Sequence, residues 1–283
     1  MVSFRKAEKQ AQLSARALGR ESRGTERNYQ TALKGVATFL KTHKLEDLKH
    51  LTEQSALRYL AERSQLVGQK TLDLDRQAMQ AQLGHKLPVI KSELSEAEKS
   101  RAYTLVQAQL VATAQTPKHA LSTALAMDAG LRAHELLTLR PVAEQARDTH
   151  REYRTDRFAG RSGTALYTVE GKGGLCREVA ISHHLAEKLE ALRLDSPRQV
   201  YDRDIGYKQY YDIGGGHNWS SSFSKASDRA LGWSNGAHGL RHTYAQERMN
   251  TLQGIGYNYE NALEVVSQEM GHFRPEITLV YLR

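Results

Sequence analysis

The chain has 283 residues, 40% of them apolar and 25% charged, so one large or two ordinary packed domains are expected and wholesale disorder is not. Its 40 Lys+Arg face 32 Asp+Glu, and the excess concentrates in residues 1–100, with 18 basic against 12 acidic side chains; this suits a polyanionic partner or simply a soluble basic protein. No apolar run reaches bilayer length, no secretory leader opens the chain, and Cys176 is the one cysteine, which excludes an intramolecular disulfide and a Cys-rich zinc site and points to a reducing cytoplasm.

In chain order, residues 1–25 are polar and basic and read as a loose or weakly helical arm. Tyr29, Leu33, Val36 and Leu40 then repeat at helical spacing. Thr52 can cap a second helix with Leu57 and Leu60 inward, and a third is predicted from about Thr71 to Leu83, ended by Gly84. Residues 26–84 thus form a small helical domain, and 85–101, charged and holding a proline, read as a linker. Thr104 and Gln107 make a capping box for a helix through Ala114. Another helix follows Pro117 and stops at Gly130; a short one is expected from about Ala133 to Arg140-Pro141. Period-two alternation over 165–170 and 175–181 predicts a β-hairpin whose tip is Gly171-Lys172-Gly173-Gly174. Residues 195–219 are rich in Tyr, Asp and Gly, with Gly214-Gly-Gly216 the clearest loop; helices resume near Ser220, at Gly239 to Asn250, at Ala262 to Met270 and, briefly, at Glu276 to Leu282. The fold class is mainly α with a small β-sheet, in two domains.

Four segments carry candidate chemistry: Gly130-Leu-Arg132-Ala-His-Glu135, Gly171-Lys172-Gly173, His238-Gly-Leu-Arg241, and Met270-Gly-His272 followed nine residues later by Tyr281. Two planar guanidinium forks can clamp the nonbridging oxygens of a phosphodiester as charge develops on them. Taken singly, Arg132 and Arg241 read equally as salt-bridging residues, Lys172 as an exposed hairpin lysine, His238 and His272 as helix-terminal histidines, and Tyr281 as a core tyrosine. Their order and spacing together resemble the tyrosine recombinases, the phage-integrase family of site-specific DNA recombinases.

The resemblance implies a helical core-binding (SAM-like) DNA-binding domain over 26–84 and an α+β catalytic domain over 102–283. It implies that Arg132 and Arg241 hold the scissile phosphate and that Lys172 protonates the departing 5′ oxygen. His238 exchanges a proton with the nucleophile, His272 donates a hydrogen bond to the phosphate, and Glu135 supports the site. Tyr281 is the expected nucleophile, forming a 3′-phosphotyrosyl link that stores the bond energy without ATP. No metal or other cofactor is implied; His183, His184 and His217 show no ligand spacing with a third partner.

The implied partner is double-stranded DNA with a specific recombination site. It would be gripped between the two domains by a homotetramer that passes through a Holliday junction, with a directionality or host DNA-bending factor possible and a nucleoid-associated, cytoplasmic, membrane-free location. Arg27, Lys34 and Lys70 are candidate DNA contacts. Gly239 and Ala133 depart from residues common in the family. The chain also stops two residues after Tyr281, where many members continue into a tail that docks on a neighbouring protomer. Two alternatives stay open: a type IB topoisomerase-like relaxing enzyme, and a DNA-binding relative without catalysis.

Overall fold

The computed structural model describes residues 4–19, 23–94 and 100–283. Parts of the expected arm (1–3 and 20–22) and of the expected linker (95–99) lie outside the described residues. The chain divides into two compact units, Met1–Glu98 and Lys99–Arg283. Among the described residues no helix is long and apolar enough to cross a membrane.

The first unit is all helical: α1 (Phe4–Ala17), α2 (Arg23–Thr42), α3 (Glu53–Ser64) and α4 (Gln69–Leu83). Leu33, Val36, Leu40, Leu60, Leu72 and Met79 fill its core, each contributing about 1.5–3 kcal/mol by leaving water. The Thr52 hydroxyl accepts from the Ser55 amide to open α3, and Gly84, at φ +79°, closes α4.

Two features differ from the sequence expectation. Within the basic arm, Phe4–Ala17 form the helix α1, docked on α2 through Ala7, Ala11 and Ala15. A stripe of alanines permits close helix approach but carries little hydrophobic signal, which is why it reads as a polar arm. The linker is also tied down over much of its described length. Leu87 is buried in the helical core with Ile90 packed against it; Gln69 brackets Ile90 and Ser92, and the Ser92 hydroxyl donates to the Val67 carbonyl at 2.7 Å.

The second unit begins with α5 (Leu105–Thr113), capped reciprocally by Thr104 and Gln107, and α6 (Pro117–Asp128). The helix expected after Ala133 is a single 3-10 turn, Glu135–Leu137. Leu136, Leu137 and Leu139 are all buried, and so irregular an inward pattern suits a turn better than one helical face.

A three-stranded antiparallel sheet follows, ordered β1 (Arg140–Pro141), β2 (Thr164–Glu170), β3 (Cys176–Ser182). The β2–β3 ladder runs from Glu170 opposite Cys176 to Thr164 opposite Ser182. Its tip is a 3-10 turn, Lys172–Gly174, in which Gly173 and Gly174 take φ of +79° and +81°, a region that glycine enters without steric cost.

After α7 (His183–Glu190) comes a second hairpin, β4 (Arg193–Asp202) and β5 (Ile205–Tyr211), in the Tyr-, Asp- and Gly-rich stretch for which the sequence predicted no strand. β4 is mostly exposed on both faces and contains Pro197, and the inward face of β5 places the polar Gln209 beside Tyr211, so no apolar alternation marks them. The fold closes with α8 (Gly216–Leu231), α9 (Gly239–Gly254), α10 (Tyr259–Glu269), α11 (Pro275–Thr278) and a 3-10 turn, Leu279–Leu282. One core gathers Tyr103, Leu125, Val179, Ile181, Trp219 and Phe223; a second gathers Tyr244, Leu252, Val265, Val266, Met270 and Tyr281.

Candidate active site

Gly130 ends the α6 segment at φ +60° and turns the chain so that Leu131 enters the core while Arg132 faces the site. Glu135, fully buried one turn later, folds back on Arg132: one carboxylate oxygen accepts from the Arg132 main-chain amide at 2.8 Å, the other from its guanidinium at 2.7 Å. The first oxygen also accepts from Arg177 at 2.8 Å and lies 3.9 Å from Arg241. Burial alone would push the Glu135 carboxyl up, but Arg177, Arg132 and Arg241 outweigh it and hold it well below the usual carboxylate range.

Arg241, in the first turn of α9, is fully buried. Its guanidinium donates to the carbonyls of Gly130 and Met270, and its Nε finds no acceptor among the described residues. Burial and the neighbouring Arg132 lower its pKa to about 10, so it stays cationic at neutral pH. Among the described residues, the site therefore sets three guanidinium groups, those of Arg132, Arg177 and Arg241, against one carboxylate. The nearby Glu269 carboxylate is already taken by Arg248 and the Tyr244 hydroxyl. Buried excess positive charge is costly unless an anion completes it.

Tyr281 sits on the final 3-10 turn, and its hydroxyl is 3.0 Å from His238 Nε2. The Arg241 guanidinium lies 5.6 Å from the Tyr281 ring centroid. Burial, reinforced by Arg241 and His242, lowers the His238 pKa to about 4, so its imidazole is neutral at pH 7 and Nε2 can accept the phenolic proton. The His272 pKa falls to about 3, from burial first and then Arg241 and Arg132.

Both ring nitrogens of His272 have partners. Arginine has no acceptor, so the 3.2 Å contact from Arg241 makes His272 Nε2 the acceptor, and Nδ1–H then donates to the Thr278 hydroxyl at 3.0 Å. The ring of His272 thus bridges the Arg241 guanidinium and the Thr278 hydroxyl.

Arg132, Glu135, His238, Arg241, His272 and Tyr281 thus come together in one unit. For Lys172 the backbone is on its turn, and its side chain lies outside the described atoms. A Cβ on the preceding Gly171 would lie 3.4 Å from the Glu135 carboxylate and 3.8 Å from the Arg132 guanidinium, so the turn abuts the cationic cluster. A cavity of about 200 Å³ opens beside Arg132 and His238, and the β4–β5 tip residues Asp202 and Arg203 line it. Arg27, Lys34 and Lys70 belong to the first unit; Lys34 pairs with Glu8 at 2.9 Å, and Lys70 is exposed.

Two residues at the site were not singled out from the sequence. His242, with its ring 4.8 Å from that of Tyr281, carries no role legible in its position. Arg177 carries a signal: it stands in phase with Val179 and Ile181, which face the core, and a charge on an inward strand face needs a partner.

No family model matches the chain, and no curated protein does either. Solved structures do. The site-specific recombinase XerH, bound to its difH substrate before cleavage, superposes with a TM-score of 0.55 at 14% identity, over 91% of this chain and 75% of that one. A transposon integrase in complex with transposon right end DNA gives 0.54 at 12%, over 98% and 94%. A lambda integrase tetramer bound to a Holliday junction gives 0.56 at 16%, over 93% and 76%. At such identities the likeness establishes a shared fold, the one on which these recombinases and integrases are built.

Proposed function

Starting from that shared fold, we propose that this chain is a site-specific DNA strand-exchange enzyme of the tyrosine-recombinase kind. The observation that carries the reading is the Tyr281 hydroxyl hydrogen-bonded to a neutral His238 beside a buried guanidinium group with charge to spare. A phenol, a base and excess cationic charge converging on one point are the requirements for attack on an anionic phosphodiester.

In this reading the nonbridging oxygens of the scissile phosphate lie between Arg132 and Arg241. His238 takes the phenolic proton as the Tyr281 oxygen bonds to phosphorus. The bond to the 5′ oxygen breaks, and Lys172 delivers a proton to that leaving group. The resulting 3′-phosphotyrosyl ester keeps the energy of the broken bond, and a 5′ hydroxyl from a second strand reverses the steps. Glu135 fixes Arg132, and His272 fixes Arg241. Two guanidinium groups acting on the developing charge contribute about 3–4 kcal/mol each by analogy with other preorganised donors. The partner is duplex DNA. Four protomers on two duplexes is the assembly proposed, supported by the fold shared with a lambda integrase tetramer on a Holliday junction.

The test is capture. Wild-type protein and Tyr281→Phe are expressed in cells, covalent protein–DNA adducts are isolated in EDTA, and the attached DNA is sequenced. Adducts at one or a few sequences from the wild type, and none from the variant, support the reading. No wild-type adduct, or an adduct that persists in Tyr281→Phe, overturns it. Adducts spread over unrelated sequences, with plasmid relaxed without synapsis, would favour a topoisomerase-like activity.

A further inference from the structure

The proposed reaction leaves one fully buried charge at the site unused, that of Arg177 on β3. One of its Nη atoms donates to Glu135 at 2.8 Å and the other donates to the Glu269 carbonyl at 2.6 Å, where α10 ends. Its methylene and Nε lie under Gly271, where an added Cβ would approach Arg177 to 2.7 Å. A single side chain therefore touches the carboxylate that holds Arg132 and the turn that carries His272, and it springs from the strand that follows the Lys172 turn.

The hydrogen bonds on Glu135 show what this contact does. The carboxylate oxygen nearer Arg241 already accepts twice, from the Arg132 amide and from Arg177, and Arg241 stays 3.9 Å away. Without Arg177 that oxygen has an open acceptor direction and a cation within easy reach. A charge-assisted hydrogen bond closes such a gap to about 2.8 Å. Arg241 would then be neutralised by a carboxylate instead of facing a phosphate.

We infer that Arg177 is a positioning residue that occupies Glu135 and so keeps Arg241 available for the substrate phosphate. The inference rests on the strand-exchange reading for its rate measurement but not for its structural one.

The experiment uses the full chain carrying Arg177→Met, Arg177→Lys, Glu135→Gln and the double variant Arg177→Met/Glu135→Gln. The probe is a duplex oligonucleotide of the captured sequence with a nick that traps the adduct. Arg177→Met is expected to slow adduct formation about a hundredfold while its affinity for the duplex changes less than about threefold. Arg177→Lys, which keeps the charge, recovers part of the rate. The double variant, with no carboxylate left to capture Arg241, forms adduct about tenfold faster than Arg177→Met alone.

Crystal structures of Arg177→Met and the double variant give a readout independent of activity: the Glu135–Arg241 contact shortens to hydrogen-bond length in the single variant. If Arg177→Met does not fold, the double variant is compared with Glu135→Gln: equal adduct rates support the inference, since Arg177 then has no carboxylate to occupy, and a double variant more than about tenfold slower overturns it. A Glu135–Arg241 separation that stays near 3.9 Å when Arg177 is lost overturns the inference, as does a double variant no faster than the single one. Absence of adduct from the wild type would instead overturn the strand-exchange reading and leave the structural measurement to decide the role of Arg177.

Discussion

Replacing Glu135 by glutamine tests the electrostatic frame of the site. The side chain keeps its shape, but three guanidinium groups lose their shared counter-charge, two at 2.7–2.8 Å and one at 3.9 Å. The new amide also turns N–H donors toward arginine donors. Removing one partner from a buried ionic cluster costs about 3–5 kcal/mol, a large part of a typical total of about 5–15. Urea unfolding followed by tryptophan fluorescence measures it, because both tryptophans, Trp219 and Trp233, lie in the second unit.

The pH dependence gives the sign. The Glu135 carboxyl is held down in the folded state, so its stabilisation is complete above the unfolded pKa and is lost as pH falls toward the folded one. The gap between wild type and Glu135→Gln should therefore be flat from pH 7 to about 5. It should then narrow by about 2 kcal/mol by pH 3. A gap under about 1 kcal/mol at pH 7, or one that is unchanged down to pH 3, would refute the claim that the carboxylate is ionised and paired with these arginines.

Three further outcomes are expected. The rate of adduct formation should fall on acidification only as His238 gains its proton near pH 4, since a protonated imidazole cannot accept from Tyr281; a midpoint near 6.5 in the pH–rate profile would mean that the histidine is solvated and unperturbed. Gly271→Ala forces a side chain onto a φ of +71° and into Arg177, so thermal melting should report a loss of about 1–3 kcal/mol together with slower adduct formation; a neutral result would show that the Arg177–Gly271 packing yields freely. Binding to duplex DNA should weaken steeply between about 50 and 200 mM salt, as phosphate contacts release counterions, and a flat titration would argue against phosphate-led binding.

How legible the site was depends on what each residue's signal was. Arg132, Arg241 and Tyr281 stood out because short motifs kept their order along the chain. The helices of the first unit stood out because Leu33, Val36 and Leu40 repeat at helical spacing. Helix α1 did not, since Ala7, Ala11 and Ala15 pack by smallness. The β4–β5 hairpin did not either, since β4 is mostly exposed on both faces and the buried face of β5 carries the polar Gln209.

Local spacing, caps and turn glycines were determined by the sequence alone: the Thr52 and Thr104 caps, the Gly173-Gly174 turn, and which residues bear charge. Only the tertiary structure decided which charges meet. The site draws on residues from 132 to 281, and no rule of short-range spacing relates Arg177 to Glu135, or His238 to Tyr281. Packing of separate elements brings those pairs together and so sets their protonation: three cations keep the carboxylate ionised against its burial, and burial keeps the imidazole neutral beside a phenol.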